Sequence, residues 1–221
     1  AAGGTGKSTF QITTALAIAT GRDLTGEPVY EPGPVWIINN EDSREEMDRR
    51  IAAACAQHRI PFASLDGCLF YNSGLDDQRF VVSTRTPDGN LVPHPNVQAC
   101  IDHIRANGIK VLFVDPLVST HAAQENSNDE IERVAEQYRE IAHKAGCAVE
   151  IAHHTVKTHQ GDPEVHAGQA DSGRGGGALV AAARSVWTLA GMNEGTATKW
   201  QLDPAERKRM VRCSASSSVT G

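Results

Sequence analysis

Two hydrophobic periods alternate along the chain. Short runs of β-branched and aromatic residues, PVWIINN (34–40), KVLFVD (110–115), CAVEIAHH (147–154) and SVWTLA (185–190), predict buried strands. The stretches between them carry a helical repeat. STFQITTALAIAT (8–20) predicts a helix burying Phe10, Thr13, Thr14, Ala17 and Ile18. In EDSREEMDRRIAAACAQH the pair Ser43 and Glu46 forms a capping-box pattern, and Met47, Ile51, Ala54, Cys55 and His58 trace one face. Asn96 is placed to cap a helix carrying Val97, Cys100, Ile101 and Ile104, with Gly108 as its stop. From Asn128 to Ala145 the residues Ile131, Val134, Ala135, Tyr138, Ile141, Ala142 and Ala145 follow a 3.6 repeat that Gly146 ends.

Strands alternating with helices imply an α/β fold with a mainly parallel sheet and helices on both faces. Between 61 and 95 short runs around CLFY and RFVVS predict small strands, with a hairpin turn at Asp88 and Gly89. An alanine-rich helix is expected through ALVAAAR, after a glycine-rich polar segment from about 155 to 177. The length of 221 residues favours one main domain, read as 1–205. Residues 206–221 lack a clear period and are expected to be a frayed or truncated tail.

Composition narrows the setting. The five cysteines form no C-x-x-C pair, and no apolar run nears the roughly 18 residues of a membrane span, so a cytoplasmic protein without a membrane partner is expected. A net charge of −6 speaks against a chain that coats nucleic acid nonspecifically, while leaving room for a local basic loop.

The candidate chemistry starts at AAGGTGKST. It fits the phosphate-loop pattern G-x-x-x-x-G-K-[ST], with Ala1 at the first glycine position. In such a loop the backbone N–H groups of Gly3, Gly4, Thr5, Gly6, Lys7, Ser8 and Thr9 converge on phosphates. The Lys7 ammonium reaches the terminal phosphates, and the Ser8 hydroxyl ligates Mg²⁺. A strand normally aims the loop, and none precedes it here, so the start of the sheet is expected to be missing. Asp115, ending an apolar strand, suits the water shell of the same Mg²⁺.

Hydrolysis also needs a group that activates water. Pro116 stands where many AAA+ ATPases carry a glutamate directly after the metal-binding aspartate, so the carboxylate must come from elsewhere. Glu41, at the end of another strand, is the best supply, with Asp42 its competitor. His153 and His154 end a third strand, where one of them is placed to respond to a γ-phosphate. Arg184, Arg174 and Arg50 are candidate phosphate-contacting arginines. A zinc site combining His153 and His154 with Cys147, His159 or His166 fits no compact spacing. The segment Thr155–Gly177, with Lys157, His159, His166 and Arg174 among glycines, reads as a DNA-contacting loop or as disordered chain.

The set GGTGKST, INNEDSREEMDRR, VDPLVSTHAAQENSND, IAHHTVK and SGRGGGALVAAARSVWTL resembles the RecA-like ATPases of the RepA type, the plasmid replicative hexameric helicases and their relatives. The resemblance implies a RecA-like P-loop NTPase core. It also implies a Walker A loop with Lys7 and Ser8, a catalytic Glu41, a Walker B Asp115, a γ-phosphate-sensing His154 and an intersubunit Arg184, with Arg50 a companion. ATP, Mg²⁺, single-stranded DNA and a hexameric ring of identical chains are its implied ligands and partners. His121, Glu125 and Asn126 match a family signature without a derivable role, and Asn39, Asn40 and Glu150 depart from the usual apolar strands. A DNA motor is the function expected first. A regulatory nucleotide-binding module with little turnover is the alternative, and a P-loop phosphotransferase lacks an acceptor motif.

Overall fold

In chain order the elements are α1 (Lys7–Thr20), β1 (Val35–Asn39), α2 (Arg44–His58), β2 (Leu69–Ser73), β3 (Ser83–Arg85), β4 (Leu91–Pro93), α3 (Asn96–Asn107), β5 (Val111–Asp115), α4 (Asn128–Ala145), β6 (Ala148–Ile151), α5 (Gly176–Ala182), β7 (Val186–Gly191), α6 (Glu194–Lys199), α7 (Pro204–Arg207) and β8 (Val211–Ser216). The computed structural model describes residues 5–154, 164 and 176–216. Two compact units divide them. The larger comprises Ser8–Gln124 and Arg133–Ala152, and the smaller the described residues within Ala1–Lys7, Glu125–Glu132 and His153–Gly221.

The larger unit is built on a parallel sheet of order β2-β1-β5-β6. A parallel sheet is covered on both faces, which is why β1 and β5 read as continuous apolar runs. Alternation sends Val35, Ile37 and Phe113 to one face, where they pack with Ile12 and Leu16 of α1 and with Met47, Ile51 and Cys55 of α2. On the opposite face the indole of Trp36 and the ring of Phe70 meet His103 of α3, with ring centroids 4.4 and 5.8 Å apart. Arg105 of α3 donates to the Lys144 carbonyl near the end of α4, tying these two helices together.

Most helical faces fall where the periodicity puts them. Val97, Cys100, Ile101 and Ile104 are buried on α3, and Ile131, Val134, Ala135, Tyr138 and Ile141 on α4. Helix α1 differs. Its buried residues are Gln11, Ile12, Ala15, Leu16 and Ala17, and only Ala17 belongs to the expected stripe. Alanine, threonine and aliphatic residues surround this helix, so its own pattern gives little contrast and the sheet selects the face. The capping box of α2 forms by half. Ser43 accepts from the Glu46 N–H at 3.2 Å, but the Glu46 carboxylate turns to Arg50 and Arg49, because a guanidinium outcompetes an amide for a charge. Pro95, not Asn96, precedes the first turn of α3, and the Asn96 N–H donates instead to Nδ1 of His94 at 3.2 Å.

The hairpin of β3 and β4 turns through Gly89 at φ +85°, with the Thr86 N–H donating to Asn90 O. The run around CLFY goes further than a small strand. As β2 it joins the main sheet parallel to β1.

Strand β6, last in the sheet order among the described residues, carries Glu150, in register with Phe113. Burial pushes its carboxyl up from 4.5 to about 7, against a smaller opposing pull from the Gln11 amide. The folded state therefore binds this proton more tightly than the unfolded chain. The resulting stability is complete below about 4.5 and is lost as pH rises through about 7. Glu150→Gln is expected to raise the unfolding temperature at pH 8, on the order of 10 °C, with the difference closing towards pH 4.5 in thermal melts.

In the smaller unit β7 and β8 pair antiparallel, from Val186 opposite Ser216 to Gly191 opposite Val211. Residues 211–216 are thus an ordered strand where the sequence predicts fraying. Val211, Cys213 and Ala215 do alternate there with Arg212, Ser214 and Ser216, a strand period that small side chains make faint, and β7 supplies the pairing. Helices α6 and α7 are capped by Asn193 and by the Asp203/Glu206 box, and Glu164 accepts from the Asn193 N–H and the Thr196 hydroxyl.

Candidate active site

Gly6 has φ +86°, a backbone state that side-chain-bearing residues rarely adopt, and it leads directly into α1. The helix starts at Lys7 with no acidic residue in its first turn, so its unpaired N–H groups and positive dipole end favour an anion. Thr5 is half-buried and Thr9 exposed, while Gly3 and Gly4 lie outside the described residues.

Ser8 and Asp115 meet in the larger unit. The Ser8 hydroxyl donates to Asp115 Oδ2 at 2.5 Å. Asp115 ends β5, is 5% exposed, and has no Lys, Arg or His paired with it among the described residues. A buried carboxylate without a countercharge is costly, and a cation would offset it. Hydroxyl and carboxylate oxygens side by side are the hard donors that Mg²⁺ takes while keeping several waters, so these residues fit that ion. Among the described residues no group of three or more His, Cys, Asp or Glu is gathered in the manner of a protein-only metal cage. The peptide between Asp115 and Pro116 is cis.

The second carboxylate comes from the neighbouring strand. Asn39 of β1 is in register with Asp115, and the Asn40 N–H donates to the Asp115 carbonyl at 2.9 Å. Glu41 follows at once. Its carboxylate is exposed and has no hydrogen-bond or ion-pair partner among the described residues. Asp42 is engaged, with Oδ2 accepting from Arg50 at 2.6 Å and from Asn39 at 2.8 Å. Of the two candidate carboxylates, Glu41 is the one left free to accept a proton. Arg50 also donates to Glu46 at 2.8 Å, so both sides of its guanidinium are committed within the chain.

In the smaller unit Lys7 Nζ lies within hydrogen-bond distance of Nδ1 of His154, at 3.2 Å. Arg184 sits in the bend between α5 and β7, exposed and without a hydrogen-bond or ion-pair partner among the described residues. Arg174, Lys157, His159 and His166 lie outside the described residues. His121 makes a bridge to Ser83 and accepts from the Ala123 N–H through Nδ1, a local turn contact. Glu125 is half-buried and Asn126 exposed.

Sequence reasoning missed the part played by Asn39. Its signal was a pair of asparagines closing an apolar strand, but what the amide holds depends on a turn that no linear pattern displays.

No described helix is long and apolar enough to cross a membrane. The phosphate loop, the serine–aspartate pair and the parallel sheet agree with one further finding. Residues 1–160, most of the chain, match the family model described as an AAA domain, and the chain belongs to that family of P-loop ATPases.

Proposed function

We propose that this chain is a Mg²⁺-dependent ATPase of the RecA-like ring type, coupling hydrolysis to movement along single-stranded DNA during replication. The observation carrying the hydrolytic part is the division of labour at two adjacent strand ends. Asp115 is buried against Ser8, and Glu41 stands free and exposed at the end of β1. The first pair suits metal holding and the second residue suits proton abstraction.

Lys7 and the N–H groups at the start of α1 bind and orient the phosphates of ATP. Ser8 and Asp115 hold the ion. Mg²⁺, when bound, neutralises charge on phosphate oxygens. Glu41 orients water and accepts its proton as the oxygen attacks the terminal phosphorus, and the bond to the leaving phosphate oxygen breaks. His154, bonded to Lys7, is placed to report on phosphate occupancy. Arg184, exposed and free of partners among the described residues, is available to a neighbouring copy. The DNA and ring parts of the proposal rest on the resemblance of the motifs to RepA-type helicases.

The net charge of −6 favours a second reading, a regulatory module that binds ATP, assembles and turns over slowly. Phosphate release measured with and without single-stranded DNA, across a range of protein concentrations, separates the two. The motor reading expects stimulation by DNA and by self-association, roughly tenfold or more, since an arginine supplied in trans stabilises the transition state. Turnover indifferent to both would remove it, and tight ATP binding without turnover would favour the module.

A further inference from the structure

The turn bearing Glu41 is clamped on every side except at the Glu41 carboxylate itself. Asn39, 5% exposed at the end of β1, accepts two backbone N–H groups on its single amide oxygen, from Glu41 and from Asp42, each at 2.8 Å. Its amide nitrogen donates to Asp42 Oδ2, also at 2.8 Å. That oxygen in turn holds Arg50 of α2. The Ser73 hydroxyl at the end of β2 donates to the Asp42 carbonyl at 2.8 Å, and the Gly74 N–H donates to the Asn39 carbonyl at 2.8 Å.

Asn40 is fixed as well. Its amide exchanges bonds with both backbone groups of Phe80, at 2.8 and 3.1 Å. A Cβ at position 74 would come within 2.3 Å of the Asn40 amide oxygen, so Gly74 admits this close fit.

Asparagine meets a double requirement at position 39. An apolar residue, usual at the end of a buried strand, would leave two amide N–H groups without their acceptor. An aspartate would keep the acceptor but set a carboxylate against Asp42. Only a side chain with one acceptor and one donor both pins the turn and keeps Asp42 turned towards Arg50.

We infer that Asn39 is a positioning residue for hydrolysis, fixing the backbone from which Glu41 projects and holding Asp42 away from the water that Glu41 activates. The inference rests on Glu41 being the base. Misplacement of a reacting group by about 1 Å costs up to roughly 100-fold in rate, while nucleotide contacts made elsewhere are untouched. The effect therefore belongs in kcat, with KM little changed.

The test is a double-mutant cycle on the full chain, with ATP cleavage followed by radiolabelled single turnover and folding checked by thermal melts. Asn39→Ala is expected to lower kcat roughly 10- to 100-fold and to change KM by less than about threefold. Asn39→Asp, which keeps both amide bonds, is expected to lose less. In a Glu41→Gln background, the further loss from either Asn39 substitution should vanish, because the group being positioned is gone. A loss of the same size in both backgrounds, or an unchanged kcat in a folded Asn39→Ala protein, would overturn the positioning role while leaving Glu41 as base. Full turnover by Glu41→Gln alone would remove both readings together. If Asn39→Ala does not fold, the same comparison with Asn39→Asp decides.

Discussion

Lys7→Ala is expected to lower kcat/KM for ATP by roughly 10²- to 10³-fold, among the largest losses available from a single substitution in this chain. Lys7 is the first residue of α1, so its flexible stem starts where the helix offers its unpaired N–H groups. An ammonium there adds a full positive charge to the partial charge of the dipole, and that charge matters most as negative charge shifts onto phosphate oxygens during cleavage. Alanine favours the helix and leaves α1 intact, which separates loss of function from loss of fold. Arginine at the same position keeps the charge, but its wide planar head does not replace a compact ammonium, so Lys7→Arg is expected to recover little. Phosphate release beside a thermal melt checks both points. A Lys7→Ala protein turning over ATP at the original rate would move the phosphate site away from this loop.

Glu41→Gln is expected to leave ATP affinity within about threefold and to slow turnover by roughly 10²- to 10⁴-fold, the range that general-base catalysis supplies. The substitution keeps size and shape, and the backbone bonds from Asn39 do not depend on the Glu41 side chain. What it removes is the proton acceptor. Asp42 is poorly placed to substitute, since its carboxylate is held by Arg50 and Asn39. A substitution that lowers kcat while binding persists removes an interaction made in the transition state alone, which is the signature expected of the base.

How far the sequence announces this arrangement varies with the physics of each part. Strands β1 and β5 were legible because burial on both faces demands continuous β-branched and aromatic runs. Helix α4 was legible because charged and apolar residues alternate sharply around it. Helix α1 was legible as a helix but not in its buried face, since its composition is nearly uniform. Strand β8 carried a faint signal, Val211, Cys213 and Ala215 alternating with Arg212, Ser214 and Ser216, but only one of these is β-branched, and pairing with β7 is what makes the strand. Helix α7 was signalled by Asp203, Pro204 and Glu206, a cap, a first-turn proline and a reciprocal acid, and went unread.

The candidate site divides in the same way. Ser8 and Asp115 follow from a motif and a strand end, two local patterns that the fold brings within 2.5 Å. Glu41 and Asp42 looked equivalent in sequence and differ in the structure, because Arg50, eight residues further on, and Asn39, three residues back, both reach Asp42. Side-chain bonds of that kind are set by where α2 starts and how it leans on β1, information no spacing rule contains.

The most direct test of the account mixes the chain with Mg²⁺ and radiolabelled ATP and quenches the reaction at intervals, comparing the unsubstituted protein with Glu41→Gln. The account predicts that the unsubstituted protein converts bound ATP to ADP and phosphate while Glu41→Gln holds ATP uncleaved over the same interval. Equal rates of cleavage in the two proteins would contradict it.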